Sequence, residues 1–405
     1  MKHANSYEEI KPLVELCRAG RLFDVQKWIA AGKPVNLPLE REKKARRKSP
    51  LRIAMEKGFH SLVQVLVEGG VQTHEEGYSA LDHAIAERRL DMVELLLKNG
   101  VDIHSVSMDT VFDCWEPEII DFFISRGADV ETGYPLANAL IWKVRTALGF
   151  FKRYKDRFPS FQEQINIALR HHCYDGNLKW VSLLLWAGAD PFARGPKATD
   201  EAPDPEGDFT ALEWAAFMGH AEIFKLKKIV LDPSHPDASR FLREACRPEN
   251  SAILRMLIEK GFNPRQQEDG GSSLINELLE RMSWNFHFDY WNRWDRKRVD
   301  KNIDTDSSRE RMKMLHLIIR NGAKWNPSED NIKSARRSLL KLLPDYTVEF
   351  VWVLSGYKAA RYQDLEELIR TPSIRGIVYN HLPRINALIQ SLRNASPEKE
   401  PEPYK

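Results

Sequence analysis

One pattern limits what this chain can fold into. Leu212-Glu213-Trp214-Ala215-Ala216-Phe217-Met218-Gly219-His220-Ala221-Glu222-Ile223-Phe224 reads as a helix, a Gly-His turn and a second helix, and similar stretches recur along the 405 residues. Glycines that follow a Leu-rich helix punctuate the sequence at Gly32, Gly70, Gly100, Gly127, Gly188, Gly261 and Gly322. Each is expected to close its helix in the left-handed conformation, which glycine adopts without a Cβ clash. The separations Gly70 to Gly100 and Gly100 to Gly127 are 30 and 27 residues, and Gly127 to Gly188 is 61, about two units. A unit of that length is one two-helix hairpin. It cannot bury its apolar face alone, so consecutive units must stack on one another.

The apolar spacing supports the same reading. Leu81, Ala84, Ile85, Leu90, Val93, Leu96 and Leu97 fall at steps of three and four, giving both helices of that unit one face to bury. Ala54, Ala84, Ala215 and Ala245 supply small side chains where first helices approach closely. Leu51-Arg52-Ile53-Ala54 with Gly58-Phe59-His60, Leu81-Asp82-His83-Ala84 with Leu90-Asp91-Met92-Val93, and Leu169 to Cys173 with Gly176-Asn177-Leu178 share one order of residues. By these motifs the chain resembles ankyrin-repeat proteins from about Leu13 to about Asn326. The Thr-Pro that opens the ideal unit survives only as Ser49-Pro50, Ser79-Ala80 and Thr210-Ala211, and several units lack the Gly-His turn.

The resemblance implies an all-α ankyrin-repeat solenoid of about ten degenerate units over residues 1–327, with insertions at 38–48, 196–209 and 282–308. Continued apolar periodicity without the repeat marks predicts a divergent helical cap over 328–395, which an end unit needs to shield the core. A tail rich in Pro, Glu and Lys, 396–405, is expected to be disordered. Within the solenoid, residues 136–157 are expected to form a hairpin whose second helix is lengthened and basic.

With 60 basic and 58 acidic residues the formal charge is +2, which makes no general case for a polyanion partner. Four cysteines in a chain this long are not a disulfide framework. No stretch approaches the roughly 18 apolar residues of a membrane span, and the N-terminal residues lack an apolar signal core. A cytoplasmic protein with no membrane association is the expectation.

Catalytic signatures are missing: the sequence has no HExxH, no CxxC, no phosphate-cradling glycine loop and no nucleophile elbow. His171-His172-Cys173 with Asp175 offers zinc-ligand residue types. However, consecutive helical residues point about 100° apart, and Cys173 shares the second small-residue slot of the first helix with Cys17 and Cys246. Buried structural thiols are therefore expected, with no metal, no cofactor and no enzymatic activity.

Insertions and rims are the candidate contact surfaces. Residues 41–48 carry six basic side chains and one acidic; residues 200–208 are acidic and proline-rich. The insertion after Ser283 holds Trp284, Phe286, Phe288, Tyr290, Trp291 and Trp294, with Arg293 and Arg296 among them. Aromatic and arginine side chains dominate binding energy at protein interfaces. On the first helices Arg52, Asp82, Glu213, Phe217 and Arg247 are expected to project from the concave face. Trp186 occupies a slot that is polar in most units, whereas Trp180 and Trp214 are expected in the core. The functional expectation is a non-catalytic scaffold or regulator that binds another protein. A nucleic-acid-associated regulator using the basic segments is the alternative, and oligomeric state is not legible.

Overall fold

In a computed structural model, the structure describes residues 2–39, 47–195, 208–246, 250–265, 273–279, 306–340 and 344–394. The chain divides into two compact units, Met1–Ala168 and Leu169–Lys405.

The first unit is built from helical hairpins: α1 (Tyr7–Arg18) with α2 (Leu22–Ala30), α3 (Pro50–Glu56) with α4 (His60–Glu68), α5 (Ala80–Ala86) with α6 (Leu90–Lys98), α7 (Met108–Asp113) with α8 (Pro117–Ser125), and α9 (Pro135–Ile141) with α10 (Thr146–Tyr154). First helices pack in chain order, α1 on α3, α3 on α5, α5 on α7 and α7 on α9, and second helices follow as α2 on α4 and α4 on α6. Ala54 and Ala84 are fully covered between them. Leu51, Leu66, Leu81, Val93, Leu96, Phe112 and Phe123 complete the apolar layer.

Local chemistry sets the boundaries. Ser49, Ser79 and Ser107 each accept the backbone N–H of the third residue on, satisfying a donor that the first helical turn leaves open. Pro50, Pro117 and Pro135 occupy the first helical position, where a missing N–H costs nothing. The seven punctuating glycines all have positive φ, between 66° at Gly32 and 115° at Gly188, as the sequence pattern requires. A two-stranded antiparallel finger, β1 (His74–Glu75) with β2 (Tyr78–Ser79), turns at Gly77 and leads into α5.

The second unit contains α12 (Leu178–Ala187), α13 (Ala211–Met218), α14 (Ala238–Ala245) and α15 (Ser251–Glu259). α11 (Ser160–Tyr174) precedes them, and its last residues belong to this unit. Residues 274–279 are helical, and helices Asp306–Arg320, Glu329–Leu339, Pro344–Gly356, Tyr362–Arg370, Pro372–Ile377 and Leu382–Asn394 follow. No described helix is long and apolar enough to cross a membrane.

Two sequence expectations need correction. The stretch that best displays the pattern, 212–224, has a regular first helix, but its second is a single 3₁₀ turn, Ile223–Lys225. A run of Ile229-Val230, disfavoured in helices, and then Pro233 leave too little chain to propagate one. The lengthened helix is α11, at 15 residues, whereas α10 has nine like its counterparts. Pro159 ends the linker ahead of α11 rather than truncating a long α10.

Candidate partner-binding surface

Because the hairpins repeat, equivalent positions can be compared between units. Six residues before the turn residue of a hairpin stand Arg52, Asp82, Asp109, Arg170 and Glu213, whereas α1 and α9 carry Val14 and Ala137 there. The surroundings of each decide whether the charge is used internally or presented at the rim.

In the first unit it stays near the surface. Arg52 donates from Nε to Glu56 Oε1 at 3.0 Å and lies over the Tyr78 ring, 4.9 Å from its centroid. Lys48, the last residue of the basic insertion, donates to the other Glu56 oxygen at 2.6 Å. Burial opposes ionisation of Glu56, but these two cations outweigh it and hold its carboxyl below the usual range. Tyr78 sits beside His83, with ring centroids 5.8 Å apart, and burial pushes its hydroxyl above the ordinary phenol value. The Tyr78 hydroxyl, Asp82 Oδ1 and His83 Nε2 are all covered and lack hydrogen-bond partners in the structure. His83 also lines a cavity of about 200 Å³ together with Met55, Glu56, Ala84, Arg89 and Met92. Asp109 on α7 is tied to the next hairpin by Asn138, at 2.9 Å.

In the second unit the same slot is consumed. Glu213, expected at the rim, is fully buried. Its carboxylate accepts the Thr210 N–H at 2.7 Å while Thr210 Oγ1 accepts the Glu213 N–H at 3.0 Å, a reciprocal cap on α13. Arg194 at 3.3 Å and Arg240 at 3.1 Å close on it, and Arg194 also pairs with Asp237. Burial raises the Glu213 carboxyl against the pull of the Thr210 amide and the two guanidinium groups. Arg170 is likewise buried and donates to Ala193 O at 3.2 Å. Phe217 is half-buried, edge-on to Trp214 at 5.5 Å, so it braces an aromatic cluster more than it projects. Met218, next to it, is exposed.

Arg247 and the insertion residues Trp284, Phe286, Phe288, Tyr290, Trp291, Arg293, Trp294 and Arg296 lie outside the described residues, as do 40–46 and 196–207. Trp180 and Trp214 are in the core, and Trp186 is 64% exposed on α12. All four cysteines are buried thiols. Burial pushes the Cys17 thiol up to about 12.

Sequence reading missed a second feature. The turn between the helices of a hairpin is glycine with positive φ at Gly20, Gly58, Gly176 and Gly219. Three consecutive hairpins put Arg88, Trp115 and Lys143 there instead, at φ 55°, 60° and 68°. A side chain in this conformation costs about 1–2 kcal/mol. Trp115 is 49% exposed, and Trp142, beside Lys143, is 70% exposed. The signal was available, since all three departures from glycine fall at an aligned position.

The histidine pair also differs from expectation. The rings of His171 and His172 do not diverge: their centroids are 5.3 Å apart at 79°, and His171 Nε2 lies 3.1 Å from Asp175 Oδ2. Side-chain torsions bring together rings whose Cα–Cβ bonds point apart.

A family model described as ankyrin repeats, three copies, matches residues 13–107. Among solved structures, the ankyrin repeat domain of Bcl-3, titled a unique member of the IkappaB protein family, is 16% identical, with 65% of this chain and 92% of that chain covered and a TM-score of 0.30. An ankyrin repeat domain from Acinetobacter baumannii AYE is 17% identical, covering 53% of this chain and 94% of its own, with a TM-score of 0.30. The human ASB11 ankyrin repeat domain is 17% identical, with 66% and 90% covered and a TM-score of 0.28. No curated protein matches.

Proposed function

Because this chain is an ankyrin-repeat protein, and ankyrin repeats are generally protein–protein interaction modules, we propose that it is a non-catalytic scaffold or regulator that binds another protein. The contact surface runs over the hairpins of the first unit, from Arg52, Tyr78 and Asp82 at the start of the first helices to Trp115 and Trp142 at their turns. The 282–308 insertion, on its aromatic and arginine content, is proposed as a second contact.

The observation that carries this reading is the pair of exposed tryptophans on adjacent hairpins, one of them in a backbone conformation that glycine adopts at lower cost. Exposed tryptophan contributes nothing to the core, and strained backbone at an exposed side chain favours a role outside folding. The mixed charge of Arg52, Glu56 and Asp82 suits a protein surface better than a phosphate backbone.

The test is quantitative affinity capture with the intact chain, comparing wild type with Trp142→Ala and with Phe23→Ser, an exposed side chain on α2. A partner recovered by the wild type should lose about 2 kcal/mol of affinity, roughly 30-fold, with Trp142→Ala. It should bind Phe23→Ser unchanged. Equal recovery by all three chains refutes the surface assignment.

A further inference from the structure

We propose that His171, His172 and Asp175 form a binding site for a divalent transition-metal ion, with zinc(II) the best fit, open to water or a partner side chain on its outer face. Their candidate ligand atoms all lie within 4.8 Å of one another. Two imidazoles and one carboxylate are a donor set that suits zinc, and three protein ligands leave at least one coordination position free. Zinc bonds to nitrogen and oxygen are about 2.0–2.2 Å long, which places tetrahedral ligand atoms roughly 3.3–3.6 Å apart. Closing the set from 4.8 Å to that spacing takes a shift of up to about 1.5 Å between ligand atoms.

The backbone already holds the three residues in position. The Asp175 N–H bonds to His171 O at 3.0 Å, so helical spacing persists past the end of α11 and sets Asp175 one turn beyond His171 on the same side. The Asn177 N–H bonds to His172 O at 2.9 Å, closing the turn at Gly176. The His172 ring is fully buried and stacked on Trp180, 5.4 Å between centroids at 24°, which fixes its plane. His171 is partly exposed and Asp175 more so, which gives an ion a way in. The Trp180 stack therefore restrains one ligand ring before any ion arrives, and the His171–Asp175 contact already brings two of the three ligand side chains together. The site also sits at the carbonyl end of a 15-residue helix, where the helix dipole favours positive charge. His220 is near, donating from Nε2 to Tyr174 O at 2.9 Å, so that nitrogen is engaged with the backbone and lies outside the ligand set.

Titration of the full chain with zinc chloride, followed calorimetrically and in competition with a chromogenic chelator, tests the site. One equivalent should bind, and His171→Ala and Asp175→Asn should each weaken it by at least about tenfold. His220→Ala should leave it unchanged. Asp175 is largely exposed, so Asp175→Asn retains the fold, verified by circular dichroism. Cobalt(II) in place of zinc should give ligand-field bands without thiolate charge transfer. Absence of a one-equivalent event, affinity indifferent to both variants, or a thiolate band placing the ion on a cysteine would each overturn the assignment. Protein capture through Trp142 is unaffected by these outcomes, so the two proposals stand or fall separately.

Discussion

At the scale of single residues, the same kind of side chain serves opposite ends depending on what surrounds it. Glu213 and Asp82 occupy equivalent slots, yet Glu213 is locked between Arg194 and Arg240 while Asp82 is only half-buried and has one oxygen without a hydrogen-bond partner. Removing one partner from a buried ion network costs about 3–5 kcal/mol because the remaining charges stay desolvated. Glu213→Ala should therefore destabilise the second unit by about 3 kcal/mol, read as a lower urea midpoint, whereas Asp82→Ala should change stability by less than about 1 kcal/mol. Asp129 offers a cleaner electrostatic case. The Thr132 hydroxyl, together with the N–H groups of Thr132 and Glu131, holds its carboxyl down to about 2. Since the unfolded value is about 3.9, ionised Asp129 contributes stability above about pH 4, and that contribution is lost as pH falls through about 2. Thr132→Ala should move the Asp129 titration upward toward the unfolded value in a carbon-detected NMR series; an unmoved curve would show that the backbone amides suffice.

At the scale of elements, hairpins were legible in the sequence because the two signals that define them are local. Apolar steps of three and four set the helices, and glycine sets their ends. Gly100 illustrates the second: its φ is 89°, and a Cβ built there would meet nothing within 4 Å. Gly100→Ala should thus cost about 1–2 kcal/mol purely through backbone conformation, shifting the urea midpoint without altering the m value. No loss would mean that the loop relaxes to another conformation. What could not be read was anything set by the neighbours of a helix. The Leu212 to Phe224 pattern promised two helices, but whether Ile223 onward propagates depends on the downstream Ile229-Val230 run and Pro233. Glu213 looked like a rim residue because its slot is solvent-facing at Arg52; its burial follows from Arg194 and Arg240, 19 and 27 residues away in sequence. Phe217 similarly turns on Trp214 and Phe209. The exposed Trp115 and Trp142 were overlooked for the converse reason, since aromatic content alone drew attention to the 282–308 insertion while a substituted turn glycine is visible only when hairpins are aligned.

At the scale of the whole molecule, a chain of repeats distributes its stability over nearest-neighbour interfaces, so no single core governs unfolding. Two compact units make the expectation sharper. Leu66→Ala empties a fully buried position on α4 and should cost about 3 kcal/mol. In hydrogen-exchange mass spectrometry that loss should fall on α3 to α6 and spare helix Asp306–Arg320; uniform loss along the chain would instead make the protein one cooperative block. The buried thiols turn this into something countable. Cys17 and Cys114 lie in one unit, Cys173 and Cys246 in the other. Since only an opened hairpin can surrender its sulfur to an alkylating reagent, the order in which the four positions gain mass is a native stopwatch for which end of the chain breathes first.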